Sequence, residues 1–136
     1  MIVADVNLVA QLLLGGPGAG LAQEALEKDG VWAAPVLWRS EFRNVLAVYM
    51  RVKGLSLGDA WQAHELAEIL LSANEYTVPG ESVLQLVADS TCSAYDCEYV
   101  ALAGELQVRL VTSDRKVLRN FPRIAISPAD FVRGRA

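Results

Sequence analysis

Short apolar segments separated by one or two helix-length stretches recur along the whole chain, and that alternation constrains the fold more than any other feature. Met1-Ile2-Val3-Ala4 ends at Asp5, Val31-Trp32-Ala33-Ala34 ends at Pro35, and Glu75-Tyr76-Thr77-Val78 ends at Pro79. Arg109-Leu110-Val111-Thr112 and Ile124-Ala125-Ile126 complete the set. Between them, Leu8, Val9, Leu12 and Leu13 recur at helical spacing until the glycine-rich run Gly15 to Gly20, and a second helix carries Leu21, Ala22, Ala25 and Leu26 to Asp29-Gly30. A long helix is predicted from about Val36 to Lys53, ended by Gly54, and another from the N-cap Ser56 to about Ala73. Ser82 to Thr91 and Tyr95 to Gln107 read as further helices, followed by a short one after Asp114 and a last one begun by Pro128. Strands separated in this way cannot pair as hairpins, so the sheet must be parallel with helices on both faces. The expected class is α/β, with four to five strands in a single domain spanning 1–136 and no internal repeat, low-complexity segment or linker.

Composition narrows the function classes. With 136 residues, 53% hydrophobic and 21% charged, the sequence describes a compact globular protein. No stretch is apolar and long enough to cross a bilayer, and the N-terminus lacks the pattern of a secretory signal, so a cytoplasmic location is expected. Cys92 and Cys97 are not in a C-x-x-C and have no nearby His to complete a zinc site; they read as ordinary thiols. The net charge of −4 argues against general binding of nucleic acid through phosphate contacts. The segment from Arg109 onward nevertheless carries +5 against −9 for the remainder, an asymmetry that hints at a polyanionic partner.

Four acids occupy positions with chemical consequences. Asp5 and Asp114 follow strands at their carboxyl ends, where open parallel sheets place their ligand crevice, although each could simply cap a helix. Glu41 falls on the apolar stripe formed by Trp38, Phe42, Val45, Leu46 and Tyr49. A carboxylate there needs a cation or a partner, with Arg39 and Arg43 as the candidates for an ion pair. Asp96 stands in the first turn of its helix under a Ser93 cap and leads the stripe Tyr99, Val100, Ala103; interaction with the helix dipole would be its structural role. Glu98 falls on the other side of that helix. If the four acids converge, carboxylates about 4–5 Å apart repel by roughly 3–4 kcal/mol at an effective dielectric of 20, and a cation is required among them. All-oxygen donors select Mg²⁺ or Mn²⁺ over zinc.

Taken together, Ile2-Val3-Ala4-Asp5-Val6-Asn7, Arg39-Ser40-Glu41-Phe42-Arg43-Asn44-Val45-Leu46, Tyr95-Asp96-Cys97-Glu98-Tyr99-Val100-Ala101-Leu102-Ala103 and Val111-Thr112-Ser113-Asp114-Arg115-Lys116-Val117-Leu118 resemble the four signature blocks of PIN-domain proteins. More narrowly, they resemble the VapC-type toxins of prokaryotic toxin–antitoxin pairs. The resemblance implies a parallel sheet in the order 3-2-1-4-5 and an endoribonuclease in which a metal-activated water cleaves phosphodiester bonds of RNA, leaving a 5′-phosphate and a 3′-hydroxyl. Asp5, Glu41, Asp96 and Asp114 would be both the catalytic residues and the ligands of Mg²⁺ (or Mn²⁺), with Glu41 helping to orient or deprotonate the water. Asn7, Thr112 and Ser113 match positions one layer out from the metal. It further implies a homodimer silenced by a small antitoxin protein, whose chain would fill a groove near Glu41 and the helices carrying Trp38 and Trp61. Cys97 departs from the pattern, which more often has Ala there.

Other residues flank these blocks. Arg39, Arg43, Arg115 and Lys116 could bind RNA phosphates or simply remain solvated. His64, near Glu65 and Glu68, reads as solvent-facing. The glycine-rich run lacks the Lys-Ser/Thr of a phosphate loop and reads as a flexible connection. Two competing functions fit the same pattern less fully: a PIN-like binding or scaffold subunit that cuts nothing, and a haloacid-dehalogenase-type phosphatase, which would want an Asp where Asn7 stands.

Overall fold

A computed structural model describes residues 1–135 and contains one five-stranded sheet in the order β3-β2-β1-β4-β5. The strands are β1 (Ile2–Ala4), β2 (Trp32–Pro35), β3 (Glu75–Tyr76), β4 (Leu110–Val111) and β5 (Ala125–Ile126). Every pairing is parallel, with Ile2 opposite Trp32, Val3 opposite Leu110 and Ala4 opposite Val111. All residues of β1, β2, β4 and β5 are buried, as expected of strands covered on both faces. Only the edge strand β3 is half-exposed. It stops at Tyr76, short of the expected Val78, because its partner β2 ends at Pro35.

Eight helices flank the sheet among the described residues: α1 (Val6–Leu14), α2 (Ala19–Lys28), α3 (Trp38–Lys53), α4 (Leu57–Leu71), α5 (Gly80–Ala88), α6 (Ala94–Leu106), α7 (Arg115–Asn120) and α8 (Pro128–Val132). The α6 helix lies along β1, β2 and β4, with α5 packed beside it, while α1, α3 and α4 pack on one another and α4 reaches β2. Close approach is possible because Ala33, Ala34, Ala67, Ala101 and Ala103 present small buried side chains at these contacts. Trp32, Trp38 and Phe42 supply the bulk of the core.

Helix ends follow local chemistry. Gly54 ends α3 in the left-handed region at φ 68°, where a side chain would be strained. The helix begins at Trp38 rather than Val36, since Pro35 still belongs to β2. Likewise α5 begins at Gly80, two residues earlier than expected, directly after Pro79. Side-chain caps start α4 through Ser56, α6 through Ser93 and α8 through Ser127. Ser56 accepts from the Asp59 amide at 3.1 Å on an exposed face of the molecule. Its replacement by Ala is expected to lower unfolding free energy by about 1 kcal/mol, measured by urea denaturation.

Candidate active site

The strand order reverses direction between β2 and β4, on either side of β1, and the crevice at their carboxyl ends is where the chain places its acids. Asp5 follows β1 and caps α1, its Oδ1 accepting from the Leu8 amide at 2.8 Å. Asp114 lies just beyond β4 and caps α7, its Oδ1 accepting from the Lys116 and Val117 amides at 2.9 and 3.0 Å. Capping and convergence therefore coexist. Glu41 occupies the first turn of α3 and Asp96 the first turn of α6. All four carboxylates thus sit at the amino end of a helix, where unpaired amides and the macrodipole favour negative charge.

These four side chains line one recess of about 100 Å³, together with Asn7, Tyr99 and Thr112. No Lys, Arg or His is among its described lining residues. Thr112, 1% exposed, joins the two strand ends: its hydroxyl donates to Asp5 Oδ2 and accepts from the Asp114 amide at 3.0 Å. Burial, assisted by the charges of Asp114 and Asp96, pushes the Asp5 carboxyl up to about 6 from the usual 3.8, despite the hydrogen bonds from Thr112 and Leu8 that act the other way. Burial raises Glu41 as well, with Asp96, Asp5 and Glu98 adding to the shift and a hydrogen bond opposing it. That bond comes from the Tyr99 hydroxyl, at 2.7 Å from Glu41 Oε1.

Tyr99 is the residue that sequence reasoning passed over, because it reads as part of an apolar stripe. Its spacing of three from Asp96 puts both on one helix face, and a buried phenol requires a partner. The structural alternative for Glu41, an ion pair with Arg39 or Arg43, does not form. Arg39 instead binds Glu75 at 2.8 Å and Glu68 at 3.0 Å, and Arg43 donates to His64 Nε2 at 3.2 Å. His64 is buried at 6% exposure, not solvent-facing: its ring stacks on Trp61 and its Nδ1 lies 3.0 Å from Glu68 Oε1. The aromatic stacking and two polar partners compensate for loss of water. Ser113 and Arg115 line a neighbouring depression beside Gln11, and Arg115 and Lys116 are both exposed. Glu98 is near enough to influence Glu41 but does not line the recess. Cys92 and Cys97 are free and buried.

A hard cation suits this donor set. Asp5, Glu41, Asp96 and Asp114 are the residues that could hold it, in a recess that otherwise gathers negative charge. Among the described residues no group of three or more His, Cys, Asp or Glu side chains is arranged closely enough to hold a metal ion directly. Mg²⁺ does not require one, since it keeps several waters and commonly takes only one or two carboxylates directly.

No protein-family model matches the sequence, and no curated protein matches it. Solved structures match its shape. The protein PAE2754 from Pyrobaculum aerophilum aligns with a TM-score of 0.77 at 18% identity, over 98% of this chain and 94% of its own. FitAcB from Neisseria gonorrhoeae aligns at 0.72 with 16% identity, over 95% and 99%. A toxin–antitoxin complex from Klebsiella pneumoniae aligns at 0.67 with 17% identity, over 94% and 98%. The likeness is one of fold. It covers nearly the entire length of each partner, so the helices and the sheet are shared as a unit.

The raised Asp5 carboxyl gives the fold a characteristic pH response. The folded state holds a proton up to about pH 6 that the unfolded chain releases near 3.8, so this contribution favours folding at low pH and is lost as pH rises through 6. Asp5→Asn removes it. In chelator, between pH 4 and pH 7.5, the variant is expected to gain on the order of 2 kcal/mol relative to wild type, measured by paired urea titrations; parallel pH profiles would contradict a proton held on Asp5 by burial.

Proposed function

We propose that this protein is a divalent-cation-dependent endoribonuclease of the PIN-domain kind, acting as the toxin of a toxin–antitoxin pair. The observation that carries the reading is the meeting of Asp5, Glu41, Asp96 and Asp114 in one recess without a basic side chain among its described lining residues. Structural capping accounts for Asp5 and Asp114 singly, but not for the gathering of all four. The residue blocks that resemble VapC-type toxins contain these same acids, and one structural neighbour is a toxin–antitoxin complex.

Mg²⁺ or Mn²⁺ is the fitting cofactor. When bound, such an ion activates water and neutralises charge developing on a phosphoryl group. The chain's own residues do the positioning. Leu8 and Thr112 fix both oxygens of Asp5, and two amides fix one oxygen of Asp114. Tyr99 occupies one oxygen of Glu41 and leaves the other for water or substrate. A carboxylate whose proton affinity is raised is well placed to accept a proton as water attacks the phosphodiester. The expected products carry a 5′-phosphate and a 3′-hydroxyl. Asn7 stands at the edge of the recess, where its amide can support a carboxylate or a phosphate oxygen.

A small antitoxin would occupy the apolar groove between α3 and α4, a hollow of about 500 Å³ lined by Leu46, Met50, Leu57 and Trp61. Trp61 is 59% exposed and offers an anchor there, whereas Trp38 is buried in the core. The acidic net charge suits a basic inhibitor peptide. The homodimer is part of the same proposal; size-exclusion mass at micromolar concentration is expected to give two chains per particle, and a monomer throughout would remove it.

Purified protein is expected to cut cellular RNA with Mg²⁺ or Mn²⁺ and to stop in chelator. Asp96→Asn should lower the rate by about 100-fold or more. Equal cleavage by wild type and variant would leave a binding or scaffold subunit as the better reading. Melting temperature provides a readout independent of turnover: Mg²⁺ should raise it in wild type and less in Asp96→Asn.

A further inference from the structure

Past Glu41 the acidic recess adjoins a larger hollow of about 430 Å³, for which metal-assisted hydrolysis has no use. Leu37, Ser40, Glu41 and Asn44 line one side of it, and Tyr95 lines the other. Tyr95 directly precedes Asp96 in the first turn of α6 and is 62% exposed. Ser40 and Asn44 are exposed as well. Apart from Glu41, shared with the acidic recess, none of these side chains carries a charge.

An open aromatic face, one amide and one hydroxyl form a poor seat for phosphate and a good one for a nucleobase. Bases stack on Tyr irrespective of sequence, and their edges hydrogen-bond to Asn and Ser. The electrostatics point the same way. A strand whose backbone runs beside a cluster of carboxylates gains less from phosphate contacts on that side, and stacking on a neutral face adds affinity there without them.

We infer that Tyr95 is a stacking platform for an unpaired nucleobase of single-stranded RNA, next to the phosphodiester held at the acidic recess, with Asn44 and Ser40 contacting the base edge. The inference rests on the nuclease reading and adds to it a residue that positions the strand. A base within a duplex has both faces covered by its neighbours, so paired RNA is excluded from this seat and single strands are selected.

The test uses short mixed-sequence single-stranded oligoribonucleotides in Mg²⁺, intact or with one abasic residue moved along the strand. Steady-state cleavage gives KM and kcat, and fluorescence anisotropy with Asp96→Asn protein gives affinity without turnover. Tyr95→Ala is expected to raise KM and Kd by about 5- to 140-fold while kcat changes little, and Tyr95→Phe to retain wild-type affinity. One abasic position should cost as much as Tyr95→Ala, and combining the two should cost no more than either alone. Unchanged affinity in Tyr95→Ala, or full additivity with every abasic position, overturns the platform while cleavage by wild type leaves the nuclease reading standing. Wild type that neither binds nor cuts RNA removes both.

Discussion

Parallel pairing of β1 with β4 is the contact on which the rest depends. Ala4 lies opposite Val111, so the residues that leave the two strands, Asp5 and the Thr112-Ser113-Asp114 turn, emerge side by side. Neither strand is long, and the pair is held by complete burial rather than by many ladder bonds. Sliding β4 by one residue would turn Thr112 away from Asp5 and exchange the helix layers against which Leu110 and Val111 pack. Core packing therefore fixes the spacing of the two carboxylates before any ligand arrives.

The fold tolerates four acids in one place by starting a helix at each. Amides at the amino ends of α1 and α7 bind Asp5 and Asp114 directly, while α3 and α6 carry Glu41 and Asp96 in their first turns. These interactions reduce the cost of gathering negative charge without removing it. The proton affinity of Asp5 and Glu41 remains raised even with their hydrogen bonds in place. What persists is a concentration of negative charge on carboxylates whose positions the helix amides already fix.

Much of this was legible in the chain. Apolar segments separated by helical periodicity dictated a parallel sheet; the boundaries moved by one to three residues, at Pro35 and Pro79 among others, and β4 and β5 are shorter than the apolar runs that carry them. Glu41 stood out because a carboxylate interrupts an otherwise apolar stripe. Its partner was hidden, since Tyr99 is 58 residues away and a tyrosine on a buried stripe looks like packing. Arg39 was hidden for the same reason: the nearest acids in sequence are not those it binds, and Glu68 and Glu75 reach it only after α4 has folded back to the sheet edge. His64 misled by its charged neighbours, because periodicity cannot show that Trp61 on the preceding turn will cover the ring.

The hydroxyl of Thr112 makes the two flanks of the crevice unequal. It has a single hydrogen, committed to Asp5, and its oxygen is already engaged by the amide of Asp114. The orientation cannot be inverted without stranding that amide. Asp5 is thereby kept as an acceptor on this side, and any proton it gains must settle elsewhere on the carboxyl group. Valine of matching shape would preserve the packing yet erase this polarity, leaving a cavity of the same size whose two rims no longer communicate.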